Sequence, residues 1–556
     1  MCGIWTYIDL LNNIKNYSKL YDNFIKLKHR GPDLSNYQLI KNNIIIGFHR
    51  LGIMDLNFHA NQPYIIEDTN RTIVFICNGE IYNFKELIIN YNLPIDNNSD
   101  CMVIPQLYIK YTKNISNTSI VNFVDLFSNN IKGEFSFILL EFDNLQNLNK
   151  ILIGRDQIGI RPLYINKLSY TSTTLLISSE IKAMDFYENN VEEFDPGCIM
   201  NISIDNFINK MTINKYFFRN IYNINFLLIN DESFYLEKIR NAVINSIKRR
   251  LLAEKPISFL LSGGVDSSLI ASISSKLLNT KINTFCCGMI QGTDLHYARL
   301  VANHINSNHT EVFFTKQEGL DAIRDVIYTT ETWDTTTIRA SVGQYLVCKH
   351  IGTKTDAKVV LVGEGPDEVC SSYLFNYYAP NSDELHNTAK EYVRNIHMYD
   401  GRRADRCISK WGLEGRIPLL DPEFIIAYWE IPPELRHPKY KNIEKWWLRK
   451  AFDSTNLLPN EVLWRKKEAF SDGVSDKEKS WFEIIQDYIK TQVSDDEYKN
   501  KRIDAPTIEA YYYKKIFIEL FGEKRLNIIS NYWQPKWINN SNEYIDPSAR
   551  KLVDIY

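Results

Sequence analysis

The chain has 556 residues, 44% of them hydrophobic, 24% charged and 13% aromatic. This is globular usage, with room for two to four domains at about 150 residues each, and not that of a disordered or collagen-like chain. A net charge of −3 argues against a nucleic-acid binder or a polybasic membrane anchor and for small-molecule substrates. The 9 cysteines are odd in number and form no C-x-x-C pair, so neither a zinc cage nor a disulfide framework is expected. With no apolar run near the ~18 residues of a membrane span and no basic n-region in MCGIWTYIDLLNN, the expected compartment is the cytoplasm.

In chain order, the first half is dense in short β-type runs: NNIIIGFHRL, RTIVFICNG, EFSFILLEF, KILIGRD and TLLISSE. Gly, Pro and Asn turns separate them, and the reading is a sheet-dominated α+β domain. Its candidate nucleophile is Cys2. Removal of the initiator Met leaves a thiol and a free α-amine on one residue, and an amine with an ordinary pKa of about 7.7–8.0 can activate its own thiol. A cysteine at position two is by itself more often incidental. Downstream follow His29-Arg30-Gly31-Pro32-Asp33, Arg50-Leu51-Gly52-Ile53-Met54-Asp55, Asn78-Gly79-Glu80-Ile81-Tyr82-Asn83, Ser99-Asp100 and Gly154-Arg155-Asp156-Gln157-Ile158-Gly159. Singly each has a plain alternative: Arg50 a surface charge, Asn78-Gly79 a hairpin turn, Asp100 a helix cap.

The texture changes where FDPGC, an Asn-rich stretch and the helix start Asp231-Glu232-Ser233 follow one another. The expected division is residues 2–195, a linker over 196–230, and a second domain over 231–556. That second domain alternates strands and helical segments (ISFLLS, then SSLIASISSKLL; INTFCCGM, then LHYARLVANHIN; AKVVLVG, then a long helical stretch to Trp411), which predicts a doubly wound parallel α/β sheet.

The strongest motif is Ser262-Gly263-Gly264-Val265-Asp266-Ser267-Ser268, directly after the apolar run 257–261. Two glycines admit an anion close to the backbone, Ser hydroxyls and helix N-terminal N–H groups donate to it, and Asp266 can hold a neutralising Mg2+. It is not a Walker A loop, and no G-x-G-x-x-G occurs. A second loop, Gly363-Glu364-Gly365-Pro366-Asp367-Glu368, also follows a strand and brings its carboxylates to the same sheet edge.

SGGxDS with a downstream acidic loop resembles the pyrophosphate-loop ATP pyrophosphatases, which adenylate a carboxylate or carbonyl and release pyrophosphate. The first-half series resembles the class II glutamine amidotransferase domain, of N-terminal-nucleophile type with an αββα sandwich fold. Joined in one chain they resemble the glutamine-hydrolysing asparagine synthetase family over the whole length. Supporting motifs are Glu331-Thr332-Trp333-Asp334, Thr336-Thr337-Ile338-Arg339-Ala340, Arg403-Ala404-Asp405-Arg406, Arg416-Ile417-Pro418-Leu419-Leu420-Asp421 and Lys467-Glu468-Ala469-Phe470-Ser471-Asp472-Gly473.

The resemblance implies glutamine hydrolysis at Cys2, aspartate activation by MgATP to β-aspartyl-AMP, and amination by ammonia channelled from the first site. It implies L-glutamine, L-aspartate and ATP as substrates, Mg2+ as metal, and a homodimer by family likeness. It assigns glutamine to Arg50, Leu51, Gly52, Ile53, Met54, Asn78, Gly79, Glu80 and Asp100, with Asn78 and the Gly79 N–H as oxyanion hole. ATP goes to Leu261, Ser262, Gly263, Gly264, Asp266, Ser267, Cys287, Val362 and Gly363, and metal to Asp266 and Asp367. Lys467 is to neutralise phosphate charge and Glu364 to assist ammonia. Aspartate goes to Thr336, Arg339, Asp400 and Arg403. Val362 stands where the family has Ser, and Ser371-Ser372 where it has Gly-Gly, so substrate identity is the point these departures touch. The competing readings are a related amidotransferase–adenylase acting on another carboxylate and a silent scaffold. The scaffold predicts damage at Cys2, Asp266 or Lys467, and all three are intact.

Overall fold

The computed structural model describes residues 1–11, 14–41, 43–113, 119–168, 172–185, 191–205, 210–290, 292–467, 473–475, 479–501, 503–529 and 532–537. Two compact units divide the chain, Met1–Asn220 with Ala253–Lys255 and Ile221–Leu252 with Pro256–Tyr556. Among the described residues no helix is long and apolar enough to cross a membrane.

Among the described residues the first unit holds twelve strands: β1 (Gly3–Asp9), β2 (Leu34–Lys41), β3 (Ile44–Arg50), β4 (Tyr64–Asp68), β5 (Arg71–Ile81), β6 (Gly133–Asp143), β7 (Leu148–Arg155), β8 (Tyr164–Asn166), β9 (Thr174–Ser178), β10 (Val191–Glu193), β11 (Cys198–Asp205) and β12 (Lys210–Phe217). They form two antiparallel sheets, ordered β10-β8-β9-β1-β3-β2 and β12-β11-β7-β6-β5-β4. Strand alternation decides the layers. Ile4 and Ile8 of β1 join Ile46 and Phe48 of β3, and meet Val74, Ile76, Ile138 and Leu140 of the second sheet in one apolar core. Trp5 faces the other way, onto Phe24 of helix Tyr17–Ile25 with ring centroids 6.5 Å apart. Behind the second sheet, Phe127 of helix Ser119–Asn129 packs on Phe137 at 5.8 Å. The result is the αββα sandwich.

In the second unit, β13 (Ile257–Leu260), β14 (Asn283–Gly288), β15 (Asn308–Phe313), β16 (Val359–Leu361) and β17 (Glu414–Arg416) form a parallel sheet ordered β15-β14-β13-β16-β17. The chain works outward from β13 to β15 and returns to lay β16 on β13's other side. The switch point therefore lies between the loops after β13 and β16, where open α/β sheets bind ligands.

Two expectations are corrected. Residues 196–230 are not a linker: β11 pairs with β12 over its length and with β7 from Cys198 to Ser203, so the first unit runs to Asn220. Gly197, at φ +58, turns FDPGC directly into a strand, and interspersed Asn masked the alternation of CIMNISID and KMTINKYF. The long helical stretch to Trp411 is broken into Pro366–Val369, Ser382–Asn395 and Asp400–Ser409, with 3₁₀ turns between.

Candidate active sites

Gly3 of β1 pairs with His49 of β3, which sets Cys2 beside Arg50 at the end of the first sheet. A pocket opens there, lined by Cys2, Arg50, Leu51, Ile53, Met54, Gly79, Glu80 and Asp100. The Cys2 Sγ is partly buried and lies 3.9 Å from the Leu51 carbonyl oxygen. Two further thiols, Cys77 and Cys101, line the pocket. Contact with Cys77, followed by burial, pushes the Cys101 thiol far above its ordinary range, which leaves it a poor nucleophile.

Arg50 is not a surface charge. It is 8% exposed, and its guanidinium donates to the carbonyls of Asn57 (3.1 Å), Met54 (3.4 Å) and Asp55 and to Asn61 Oδ1 (2.6 Å). No carboxylate meets it among the described residues, so its charge is available to an anionic ligand. Asp100 Oδ2 accepts from the Ile81 N–H at 2.7 Å.

Asn78 lies within β5, opposite Ser136, and is no hairpin turn. It is fully buried and both amide atoms lack a hydrogen-bond partner. An unpaired buried amide costs about 1–3 kcal/mol, and a ligand oxygen would relieve it. Gly79 next to it admits no side chain: a Cβ would stand 2.2 Å from the Glu134 carbonyl oxygen and 2.5 Å from Phe135 Cα. Neither Asn78 nor Gly52 lines the pocket, and the Gly52 N–H bonds Asp33 Oδ2 at 2.8 Å. Gln62 and Tyr64 do line it, and no motif signalled them.

The second cavity sits at the switch point, lined by Leu261, Ser262, Gly264, Asp266, Ser267 and Cys287 from the β13 and β14 side and by Gly363, Glu364 and Asp367 from the loop after β16. The first loop is tight because Gly263 takes φ +76, where a Cβ would strike Tyr297 at 2.4 Å. Ser267 Oγ closes it, 3.2 Å from the Ser262 N–H. Helix Val265–Leu278 then begins with its N–H groups at the cavity.

The acidic centre is already compensated. Lys445 Nζ lies 2.5 Å from Asp266 and 2.6 Å from Asp367, and Lys467 Nζ 2.7 Å from Asp367. Burial works to raise Asp367, but the two lysines hold it well below the usual carboxylate range. Asp266 stays above that range, chiefly through burial, and its Oδ1 is buried without a partner. Lys445 was missed from sequence because it sits in a helix-like run, NIEKWWLRK, with only its φ of +58 marking it, and that is a property of the fold.

Further along the cavity, Arg403 bridges Glu364 (3.3 Å) and Asp400 (3.1 Å), and Gln344 Nε2 donates to Glu364 Oε1 at 2.9 Å. Burial holds the Glu364 carboxyl above its ordinary range. Gln344 is another lining residue that no motif flagged.

Thr336 and Arg339, expected on the aspartate, do not line the cavity. The Arg339 guanidinium forks onto Glu509 at 2.9 and 2.5 Å and lies over the Phe482 ring, a buried structural pairing. Thr336 Oγ1 is buried and unpaired. Val362 is buried and Gly263 backs the loop, so neither lines the cavity, whereas Gly363 does. Of the Ser371-Ser372 pair, Ser371 takes φ +52 and the Ser372 hydroxyl donates to Asp367. Glu468 to Asp472 lie outside the described residues.

A thiol pocket with a buried arginine, joined in one chain to a lysine–aspartate cluster beside a glycine-serine loop, fits a glutamine amidotransferase coupled to a nucleotide-using synthetase. Comparison agrees: the glutamine amidotransferase domain model matches residues 1–227 and the asparagine synthase model residues 238–391 and 379–541. Asparagine synthetase [glutamine-hydrolyzing] of Homo sapiens is 36% identical over 582 residues, covering 100% of this chain and 99% of that protein. Its counterpart from Gallus gallus is 36% identical over 581 residues, covering 99% of this chain and 98% of that protein. The chain belongs to the glutamine-hydrolysing asparagine synthetase family.

Proposed function

We propose that the chain converts glutamine, aspartate and ATP into glutamate, asparagine, AMP and pyrophosphate by the following division of labour. In the first pocket the Cys2 thiolate attacks the glutamine side-chain amide carbon. The α-amine of Cys2, free once Met1 is removed, takes the thiol proton and passes a proton to the departing ammonia. Asn78 Nδ2 and the Gly79 N–H receive the oxyanion, a contact worth about 3–4 kcal/mol per donor in other enzymes. Arg50 takes the α-carboxylate and Asp100 the α-ammonium. Water then releases glutamate from the thioester.

In the second cavity a β-carboxylate oxygen of aspartate attacks the α-phosphorus of ATP and pyrophosphate leaves into the Ser262–Ser268 loop. Lys445 and Lys467, now on aspartates, are the cations placed to accept the phosphate charge. Asp266 and Asp367 would hold a Mg2+, which takes one or two carboxylates together with phosphate oxygens and waters; the unpaired Asp266 Oδ1 fits such a ligand set. When bound, the ion would neutralise the polyphosphate and orient it. Ammonia then attacks the acyl carbon, Glu364 takes its proton, and AMP leaves. Arg403 and Asp400 are the charged pair available to the aspartate α-groups.

The observation that carries this reading is the clustering of two lysines and two aspartates at the switch point beside the SGGVDSS loop, in a chain whose family likeness is end to end. The test is product analysis with MgATP across acidic amino acids. Stoichiometric AMP, pyrophosphate and asparagine from aspartate alone supports it, and turnover with another acid instead would move the substrate assignment.

A further inference from the structure

Tyr373 closes the acidic loop that carries Glu364 and Asp367, and the assignments above give it no role. It does not line the cavity, yet five side chains converge on it. Its hydroxyl donates to Glu368 Oε1 at 2.5 Å. Lys467 Nζ stands 5.4 Å from its ring centroid, within cation–π range, while bonding Asp367. On another side the ring meets Trp533 at 5.4 Å, and Phe375 stacks on it at 5.4 Å. The Trp533 N–H is itself fixed on Asp334 Oδ2 at 3.0 Å, and Tyr392, whose hydroxyl donates to the Gln534 carbonyl, packs edge-on to Tyr373.

Lysine is a long side chain with several rotatable bonds, so a catalytic lysine has to be given one place among many. We propose that Tyr373 is a positioning residue that seats Lys467 for the adenylation step, its ring face confining the ammonium and its hydroxyl tying the ring to Glu368. Segment 532–537 backs the ring through Trp533. The seat works without adding charge. Lys467 already pairs with Asp367, and an aromatic face confines the ammonium without adding a second anion to compete with the phosphates. This inference rests on the proposed role of Lys467 in the second cavity.

The test is aspartate-dependent exchange of labelled pyrophosphate into ATP on the full-length enzyme, with Tyr373→Phe, Tyr373→Leu, Lys467→Met and the Tyr373→Leu/Lys467→Met pair. Tyr373→Phe keeps the ring and is expected within threefold of wild type. Tyr373→Leu is expected to lower kcat at least tenfold with the aspartate KM changed less than threefold and glutamine hydrolysis unaltered. In the Lys467→Met background Tyr373→Leu is expected to add less than twofold, because its partner is gone. A full tenfold loss in that background, or equal loss from Tyr373→Phe and Tyr373→Leu, overturns the proposal. Urea midpoints separate a folding defect, which would lower all activities alike. Wild-type protein with no aspartate-dependent exchange at all would instead refute the underlying reading of the cavity.

Discussion

The two sites solve opposite electrostatic problems. In the first pocket Arg50 meets carbonyls rather than a carboxylate among the described residues, and behind its lining residue Gly79 the neighbouring Asn78 is buried with both amide atoms unpaired. In the second, cations and anions compensate each other, with Lys445 and Lys467 on Asp266 and Asp367 and Arg403 on Glu364 and Asp400. On the proposed assignments a zwitterionic amino acid brings few charges and would meet groups already waiting for it. A polyphosphate with its metal brings many, and a cavity that kept several like charges bare and buried would be unstable. On the proposed function, internal pairing would hold the charges until the ligand takes over the partners.

Variants at the two sites should therefore fail differently. Lys445→Met strips compensation from two carboxylates and a cation from the phosphate site at once. Aspartate-dependent pyrophosphate release should fall about 10³-fold or more, as for loss of other phosphate-transfer cations, with glutaminase activity within twofold. Asn78→Ala should lower glutamine kcat by about 10²–10³ while the glutamine KM moves little, the pattern of a group used only in the transition state. Steady-state kinetics with each nitrogen donor measure both. Should Asn78→Ala raise KM alone, its unpaired amide would be a ground-state binder and the contrast would weaken.

Much of this was legible in the sequence. SGGVDSS and GEGPDE each follow a β run, and parallel-strand topology then brings them to one edge, so Asp266 and Asp367 could be paired from the chain alone. The runs that became β3, β5, β6, β7 and β9 read as a sheet-dominated α+β domain, and the resemblance to class II glutamine amidotransferases implied its αββα layering. What was not legible depended on long-range packing. Lys445 reaches Asp266 across 179 positions of chain, and Gln344 touches Glu364 from a helix whose buried face no pattern distinguishes. Arg339 read as a substrate ligand because its motif places it there, but Glu509, 170 residues on, claims its guanidinium. The β11–β12 hairpin was lost because Asn is a turn signal that here sits within strands.

The Arg339 assignment has a direct check. Its removal leaves Glu509 buried at 2% exposure without its cationic partner, with the Tyr513 hydroxyl still donating to it, so Arg339→Leu should cost about 3–5 kcal/mol in urea unfolding of that unit. A rise in aspartate KM with stability unchanged would restore it to the substrate. The smallest expected effect concerns pH. Burial raises the Glu364 carboxyl while Arg403 and Gln344 oppose the rise and Asp400 adds to it. A base held high loses its proton-accepting form at a higher pH than an ordinary carboxylate. The acid limb of ammonia-dependent synthesis should therefore lie above the usual carboxylate range, and Arg403→Gln should move it further up. A limb at or below the ordinary Glu pKa would remove Glu364 from that role.

The central claim is that nitrogen is released at one site and consumed at another. It is tested most directly by Cys2→Ala assayed for asparagine with glutamine and, separately, with ammonium. The account predicts glutamine-dependent synthesis lowered more than 10³-fold, the scale of losing a nucleophile, and ammonia-dependent synthesis within about twofold of wild type. Equal loss with both donors would contradict it.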